Sequence, residues 1–487
     1  MPVDRNQADG IKARLRTEAR RCLIGLALVL LVSFAVRGLT AQFIFNHLND
    51  PGWFQSGSYA VFDQQAQDVL DGKASFFRIP DSSRTDLITY PPGYPVWVAF
   101  IYTIAGIRSA HPVLQVQWVL DSLAVLLIVG IGVTAFGWRA GIAGGLLAAL
   151  SPLMAMSGAT PGVDAPTTWF VLGGAWMLLL SAKRLSVWWA AGAGIMLGIA
   201  SWLRVNPLFL FSAWSLGLLL FTRGNVLRAL KPAAALALAA LLVISPVVIR
   251  NLIVFYPEFV PTGLNVGLNL WEGLGETNRA KEFGAVYGDT NLIEEERREM
   301  GVPPDAPFGS TWPDGIRRDR LRRQKATAVI MAHPVWFAGV MIRRSACMFK
   351  YFGQPSAWVG TSGINVTGSK CLPADQQRGF LPFLVNILGA AQSIMRHVAL
   401  PLIILGVWFG LRSDWRISGL LLMTVSYYLF TLSIGHSELR YGLPMQAILL
   451  VFAGFGVSRI GRIFYGYLAS RKQKEVGEQR GADTGLA

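Results

Sequence analysis

Charge is scarce in this chain: Asp, Glu, Lys and Arg make up 15% of its 487 residues, against about 25% in an ordinary soluble domain. Hydrophobic residues make up 53%, and that balance excludes a soluble enzyme. The chain also lacks a GxxxxGK[ST] loop, which removes the usual signature of nucleotide hydrolysis. It lacks the HExxH helix of an intramembrane zinc protease. Five histidines are scattered along it, too few and too far apart in sequence for a multi-histidine metal site. The three cysteines, Cys22, Cys347 and Cys371, form no metal-spaced cluster. Cys347 and Cys371 could pair outside a membrane, but spacing alone does not decide it. No internal repeat and no low-complexity segment occurs.

What is present is a series of apolar runs near the length that crosses a bilayer, about 20 residues per helix. Ile24–Phe45, Val113–Phe136, Pro232–Ile249 and Leu443–Val457 are the clearest. Arg37 and Asp121 are the lone charged interruptions. Inside lipid only helices or closed barrels satisfy every backbone group, and barrel strands alternate over about 10 residues. These continuous runs therefore predict an all-α integral membrane protein, a polytopic helical bundle. The net charge of +15 reads as cytoplasmic loops and contact with anionic lipid headgroups rather than as nucleic-acid binding.

The positive-inside rule sets the expected topology. Arg139, Lys183, Arg184, Arg223, Arg228 and Lys231 all fall on the cytoplasmic side only if two stretches do not span fully. The stretch from Tyr90 to Gly106 is then re-entrant or interfacial. The stretch His333–Gly353 is an amphipathic surface helix, which spares Arg343, Arg344 and Lys350 the cost of the membrane interior. About ten full spans follow from hydropathy windows, with both termini cytoplasmic. The expected organisation is a basic N-terminus (1–21), a multi-span unit (22–463) with outer loops at about 46–92 and 255–378, and a disordered cytoplasmic tail (464–487). Arg14, Arg16, Arg20 and Arg21 precede the first run as in a signal peptide, but the run is long and reads as an uncleaved span. Glu294–Arg298 and Arg317–Lys325 are charge-rich and predict solvated outer helices.

Polar residues gather on the outer face of that topology. Phe62, Ala66, Val69 and Leu70 recur at helical spacing with Asp63 beside them, predicting an interfacial helix. Its acid reads equally as a solvated surface charge. Asp164 lies in Ala159-Thr160-Pro161-Gly162-Val163-Asp164-Ala165-Pro166, where it could also cap the next helix. Arg204 and Arg250 close apolar runs and could be snorkelling anchors. His436-Ser437-Glu438-Leu439-Arg440-Tyr441, ahead of Pro444, could be a local ion pair or a phosphate grip. Acids and arginines on one lipid–water boundary suit transfer of a sugar from a lipid-linked phosphate. An acid takes the acceptor proton, and cations stabilise the departing phosphate.

In order, these features resemble the GT-C glycosyltransferases of the protein O-mannosyltransferase and lipid A aminoarabinose transferase superfamily. Four stretches carry the resemblance. They are the acid-bearing helix with Ala66, Leu70 and Gly72 before Tyr90-Pro91-Pro92-Gly93-Tyr94-Pro95; Asp164 after Ser151-Pro152; Arg250-Asn251 before Pro261-Thr262-Gly263-Leu264-Asn265-Val266-Gly267-Leu268-Asn269; and Glu438-Leu439-Arg440-Tyr441 with Pro444. One departure stands out: the family's acid lies further ahead of the alanine, where this chain has Ser58. The resemblance implies an inverting transferase of GT-C fold that uses a polyprenyl-phosphate sugar, in a bacterial inner membrane with its site facing the periplasm or exterior. It implies Asp63 as general base, with Asp86 the alternative, and Asp164 supporting it or holding a metal. Arg204, Arg250 and Arg440, with Glu438 and Tyr441, would meet the phosphate. Asn265 and Asn269 would meet sugar or acceptor. Some members bind a divalent cation and others do not, which this sequence leaves open. The acceptor is a lipid, a glycan or a protein, and membrane lipids are the other partners. The rival reading is a lipid-linked sugar flippase or other transporter, with Arg37 and Asp121 as its intramembrane charges. Asn365-Val366-Thr367 is a glycosylation sequon.

Overall fold

The computed structural model describes residues 5–48, 58–73, 90–222, 226–306, 308–309, 314–349, 380–436 and 438–484. Asp86, Cys371 and the sequon at 365–367 lie outside them. Among the described residues every regular element is helical.

The first apolar run and the basic residues before it form one helix, α1 (Arg5–His47). The one-faced stretch forms α2 (Ser58–Leu70), with Phe62 and Ala66 buried. After Pro91 and Pro92, α3 (Gly93–Ala105) starts with Pro92 as its N-cap and ends at Gly106 in the left-handed region. At 13 residues α3 is shorter than a span. An uninterrupted apolar run builds α4 (Ala110–Phe136). Gly137 separates it from α5 (Trp138–Leu150), and Ser151 then caps α6 (Pro152–Ala159) by accepting from the Met154 amide at 3.4 Å. Proline at the first turn of α6 cannot continue α5, so the pair bends by 62°.

The helices α7 (Asp164–Arg184) and α8 (Val187–Leu203) are joined by a turn with Leu185 left-handed. They run in opposite directions, so the start of α7 and the end of α8 share one end of the bundle. The helices α9 (Leu210–Phe221) and α10 (Val226–Val254) follow. A smaller group comes next: α11 (Val266–Gly275), α12 (Ala280–Phe283), α13 (Asp289–Glu299), α14 (Gly315–Ala332) and α15 (Pro334–Met348). The chain closes with α16 (Phe380–Ile434), kinked at Asp414, and α17 (Leu443–Thr484). Asp414 Oδ1 accepts from the Arg416 and Ile417 amides at 3.2 Å each, which caps the second half of α16.

Small residues let the helices approach, as membrane packing requires. Gly194 and Gly198 on α8 face Leu236, Ala240 and Val243 of α10, and Gly144 on α5 faces Leu450 and Val451 of α17. Trp214 is fully buried and donates to Thr424 Oγ1 at 2.8 Å, tying α9 to α16.

Six helices are long and apolar enough to cross a membrane, and up to eight if each bent pair counts as one span; four more apolar helices are shorter. The expected ten spans need some of those short helices to cross. The surface segment expected at 333–353 corresponds to α15, set at 106° to α14.

Three expectations are corrected. The tail expected to be disordered is helical as far as Thr484, where α17 ends; its Lys, Glu, Gln and Arg are good helix formers. Glu294–Arg298 and Arg317–Lys325 are helical but not simply solvated. Glu296 receives Arg318 Nε at 2.9 Å and Arg322 Nε at 2.6 Å, and both arginines are buried. Arg37 and Asp121 are not lone charges. They pair at 2.6 Å, and Trp169 Nε1 donates to Asp121 at 2.7 Å, which locks α1, α4 and α7 together.

Candidate functional site

Helix direction assembles the site. Asp164 opens α7, Arg204 follows the last residue of α8, and the short 3₁₀ turn Leu439–Gly442 precedes α17. These three points meet at one end of the bundle. Asp164 forms an ion pair with Arg204, and its other oxygen lies 3.8 Å from Arg440 Nε. Arg440 Nη2 donates to Glu438 at 2.7 Å, and Tyr441 Oη lies 3.5 Å from the same oxygen. The Arg204 guanidinium sits 3.8 Å from the centre of the Tyr441 ring, a cation–π contact worth about 2 kcal/mol when desolvated. Five of the expected site residues are therefore one contact group. Arg440 Nε is buried and finds no hydrogen-bond acceptor among the described residues.

Asp164 stands one residue inside the helix rather than at its N-cap, which is Val163. The turn before it is held by Gln117 of α4. Gln117 Nε2 donates to the Thr160 carbonyl at 2.6 Å, and its Oε1 accepts from Tyr94 Oη at 3.2 Å and from the Gly162 amide at 3.4 Å. Tyr94 belongs to α3, and Gly93 beside it packs so closely on α8 that a Cβ there would meet the Trp202 carbonyl at 2.6 Å.

Asp63 is half-buried on α2. It accepts from Tyr102 Oη of α3 and from Gln67 Nε2 at 2.9 Å. Its described contacts are thus apart from the Asp164 group. The link between them is aromatic: Phe62 packs on Tyr90 at 4.9 Å and on Tyr94 at 4.9 Å. Arg250 is buried, donates to Asn251 Oδ1 at 2.9 Å and lies over Phe255 at 5.1 Å. Asn251 in turn donates to the Val260 carbonyl at 2.9 Å. These contacts brace the end of α10. Asn265 is left-handed at the start of α11, and its buried Oδ1 receives no hydrogen bond among the described residues. The Asn269 carbonyl accepts the His436 amide at 2.7 Å.

Residue-by-residue reading gave no role to Glu276, Arg344 or the side chain of His436. His436 Nδ1 lies 2.6 Å from Glu276, and its Nε2 faces Glu438 at 4.0 Å. Arg344 reaches Glu276 at 3.5 Å and donates to the carbonyls of Gly273, Ser433 and Ile434. The only signal for Glu276 was its place just past the end of α11, four residues after Glu272.

Among the described residues no three His, Cys, Asp or Glu side chains are disposed to hold a metal ion. Asp164 is engaged by two guanidiniums, so this group does not fit a cation.

Residues 89–249 match the family described as dolichyl-phosphate-mannose-protein mannosyltransferase. No curated protein matches the chain in sequence. In structure it is similar to the archaeal oligosaccharyltransferase AglB from Archaeoglobus fulgidus, determined with an inhibitory peptide and a dolichol-phosphate. The identity is 14% and the TM-score 0.53, over 94% of this chain and 52% of that one. The apo form of the A. fulgidus oligosaccharyltransferase matches at 15% identity and a TM-score of 0.52, over 93% and 52%. ArnT from Cupriavidus metallidurans bound to undecaprenyl phosphate, at 14% identity over 90% and 77%, reaches a TM-score of only 0.36 and carries no weight here. The chain spans about half the length of the archaeal structures. It has the GT-C glycosyltransferase fold, and over residues 89–249 it matches a glycosyltransferase family.

Proposed function

We propose that the protein is a membrane glycosyltransferase. It moves a sugar from a polyprenyl-phosphate donor to a hydroxyl on a lipid, glycan or protein, at the outer face of a bacterial inner membrane and with inversion. The observation that carries the reading is the Arg204–Asp164–Arg440 group at one end of the bundle. Two guanidiniums share one carboxylate there, and the Arg440 Nε is a buried donor with no acceptor among the described residues. A phosphate oxygen supplies what that donor lacks. The dolichol-phosphate of the archaeal neighbour belongs to the same chemical class.

In the proposed step the acceptor hydroxyl gives its proton to the Asp63 carboxylate. The acceptor oxygen attacks the anomeric carbon from the face opposite the phosphate. The carbon–oxygen bond to the phosphate breaks, and its electron pair leaves on the phosphate. Arg440 and Arg204 stabilise that charge, Glu438 and Tyr441 hold them in place, and Asp164 sets their spacing. Arg250, Asn265 and Asn269 would meet the sugar or the acceptor. A transporter would need polar residues at mid-membrane to line a path, and the candidates Arg37 and Asp121 are engaged with each other and with Trp169 instead.

The test is a transfer assay in nanodiscs with short-chain polyprenyl-phosphate sugars and membrane lipid extract, run beside Asp63→Asn. The reading expects transfer by the wild type, lost about 10²–10⁴-fold in the variant with folding intact. Wild-type turnover in Asp63→Asn would remove the base assignment. No transfer by the folded wild type with any donor would remove the reading.

A further inference from the structure

We propose that His436 is a positioning residue that keeps Arg440 available to the donor phosphate by holding Glu438 as its own counter-ion. The inference rests on the glycosyl-transfer reading and deepens it.

The groups form a row of alternating sign: Glu276, His436, Glu438, Arg440, Asp164, Arg204. Glu438 Oε1 is the shared element. It takes Arg440 Nη2 at 2.7 Å and faces His436 Nε2 at 4.0 Å. With an imidazolium at 436, Glu438 has two cations, and Arg440 need not neutralise it alone. Without that proton Arg440 is, among the described residues, the one cation left within ion-pair distance of Glu438. The neighbouring carboxylates then carry an uncompensated charge beside the site where a phosphate arrives, and like charge in a poorly solvated cluster opposes binding.

Position is enforced by the backbone. The His436 amide donates to the Asn269 carbonyl at 2.7 Å, and Gly273 lies so close that a Cβ there would meet the His436 nitrogen at 2.6 Å. The backbone at 436 is therefore fixed against α11, which sets the ring beside Glu276. The charged and titratable groups around it come from every neighbouring element. Glu272 of α11 and Glu276 at its C-terminal cap face it, with Arg344 of α15 behind Glu276 at 3.5 Å. Tyr287 lies at 6.2 Å between ring centres and Tyr441 at 6.4 Å, and Glu438 is on its own segment. Burial lowers the imidazole pKa, but Glu276, Glu272 and Glu438 outweigh it and raise it to about 9. The proton is thus held at neutral pH.

The experiment measures binding of a polyprenyl phosphate to the full chain in nanodiscs between pH 7.5 and 10.5. A phosphate monoester with its second pKa near 6 is dianionic throughout that range. Wild-type affinity is expected to fall about tenfold as pH rises through 9. His436→Gln is expected to be about tenfold weaker at pH 7.5 and flat above it. His436→Lys, cationic to higher pH, is expected to hold its affinity at pH 9.5. Glu276→Gln, which removes the charge and keeps a hydrogen-bonding group, is expected to move the wild-type fall to lower pH. If His436→Gln matches the wild type in affinity and pH profile, the inference is overturned. The same follows if Glu276→Gln leaves the wild-type midpoint in place. A folded wild type that binds no polyprenyl phosphate at any pH overturns the glycosyl-transfer reading itself, and this inference with it.

Discussion

Asp164 lies between Arg204, with which it forms an ion pair, and Arg440, whose Nε is 3.8 Å from its second oxygen. The two arginines are 236 positions apart in sequence, yet one carboxylate spaces them. A charge-assisted hydrogen bond from Arg440 to a donor phosphate would contribute about 1.5–3 kcal/mol. Arg440→Ala is expected to raise the donor KM by roughly 10- to 100-fold, in line with that energy, with little change in acceptor KM. Steady-state kinetics with each substrate varied in turn checks it. An unchanged donor KM would make Arg440 a plain structural partner of Glu438.

Gln117 ties three pieces of the site together: Tyr94 of α3, the 160–162 turn, and through that turn Asp164. It is fully buried. Gln117→Leu leaves buried acceptors and donors unpaired, at about 1–3 kcal/mol. The variant is expected to fold with a lower Tm and to lose kcat more than donor binding, because the Asp164 turn drifts relative to α3. Equal kcat in a destabilised but folded variant would confine Gln117 to stability.

The Arg37–Asp121 pair is buried between helices, with Arg37 Nη1 also donating to the Ala149 carbonyl at 3.3 Å. Removing one partner leaves a buried charge, which costs about 3–5 kcal/mol. Arg37→Leu or Asp121→Leu alone is expected to destabilise strongly, while the double variant recovers much of the loss. Thermal unfolding in detergent measures all three. Wild-type stability in either single variant would refute a bracing role.

His436 also links stability to pH. Its folded pKa of about 9 lies above the unfolded value of about 6.5. The stabilisation is therefore fully present below about 6.5 and is lost as pH rises through about 9. The Tm of the wild type is expected to fall across that window, and the Tm of His436→Gln to change less. Parallel pH dependence in the two proteins would place the titrating group elsewhere.

The helices that matter were legible because hydropathy and turn chemistry are local. The run before α4 ends, the Ser151-Pro152 start of α6 and the Pro91-Pro92 start of α3 can each be read from a few residues. The one-faced spacing of Phe62 and Ala66 announced the burial that α2 shows. The polarity of the tail from 464 fits a helix as well as a disordered segment, and α17 extends to Thr484.

The partnerships were not legible. His436 and Glu276 are 160 residues apart, and Arg37 and Asp121 are 84 apart. Nothing in either neighbourhood encodes the other. Arg318 and Arg322 looked like solvated charges until Glu296 of another helix buried them.

By itself the sequence determined that the chain lies in a membrane, that it is helical, and that acids and arginines collect at one end of its apolar runs. Each of these depends on residues within one helix or one loop. Only the tertiary structure decided which acid meets which arginine, because helix direction and packing bring distant ends together. It drew Asp164, Arg204, Glu438, Arg440 and Tyr441 into one group with His436 and Glu276 behind them, and it left Asp63 on Tyr102.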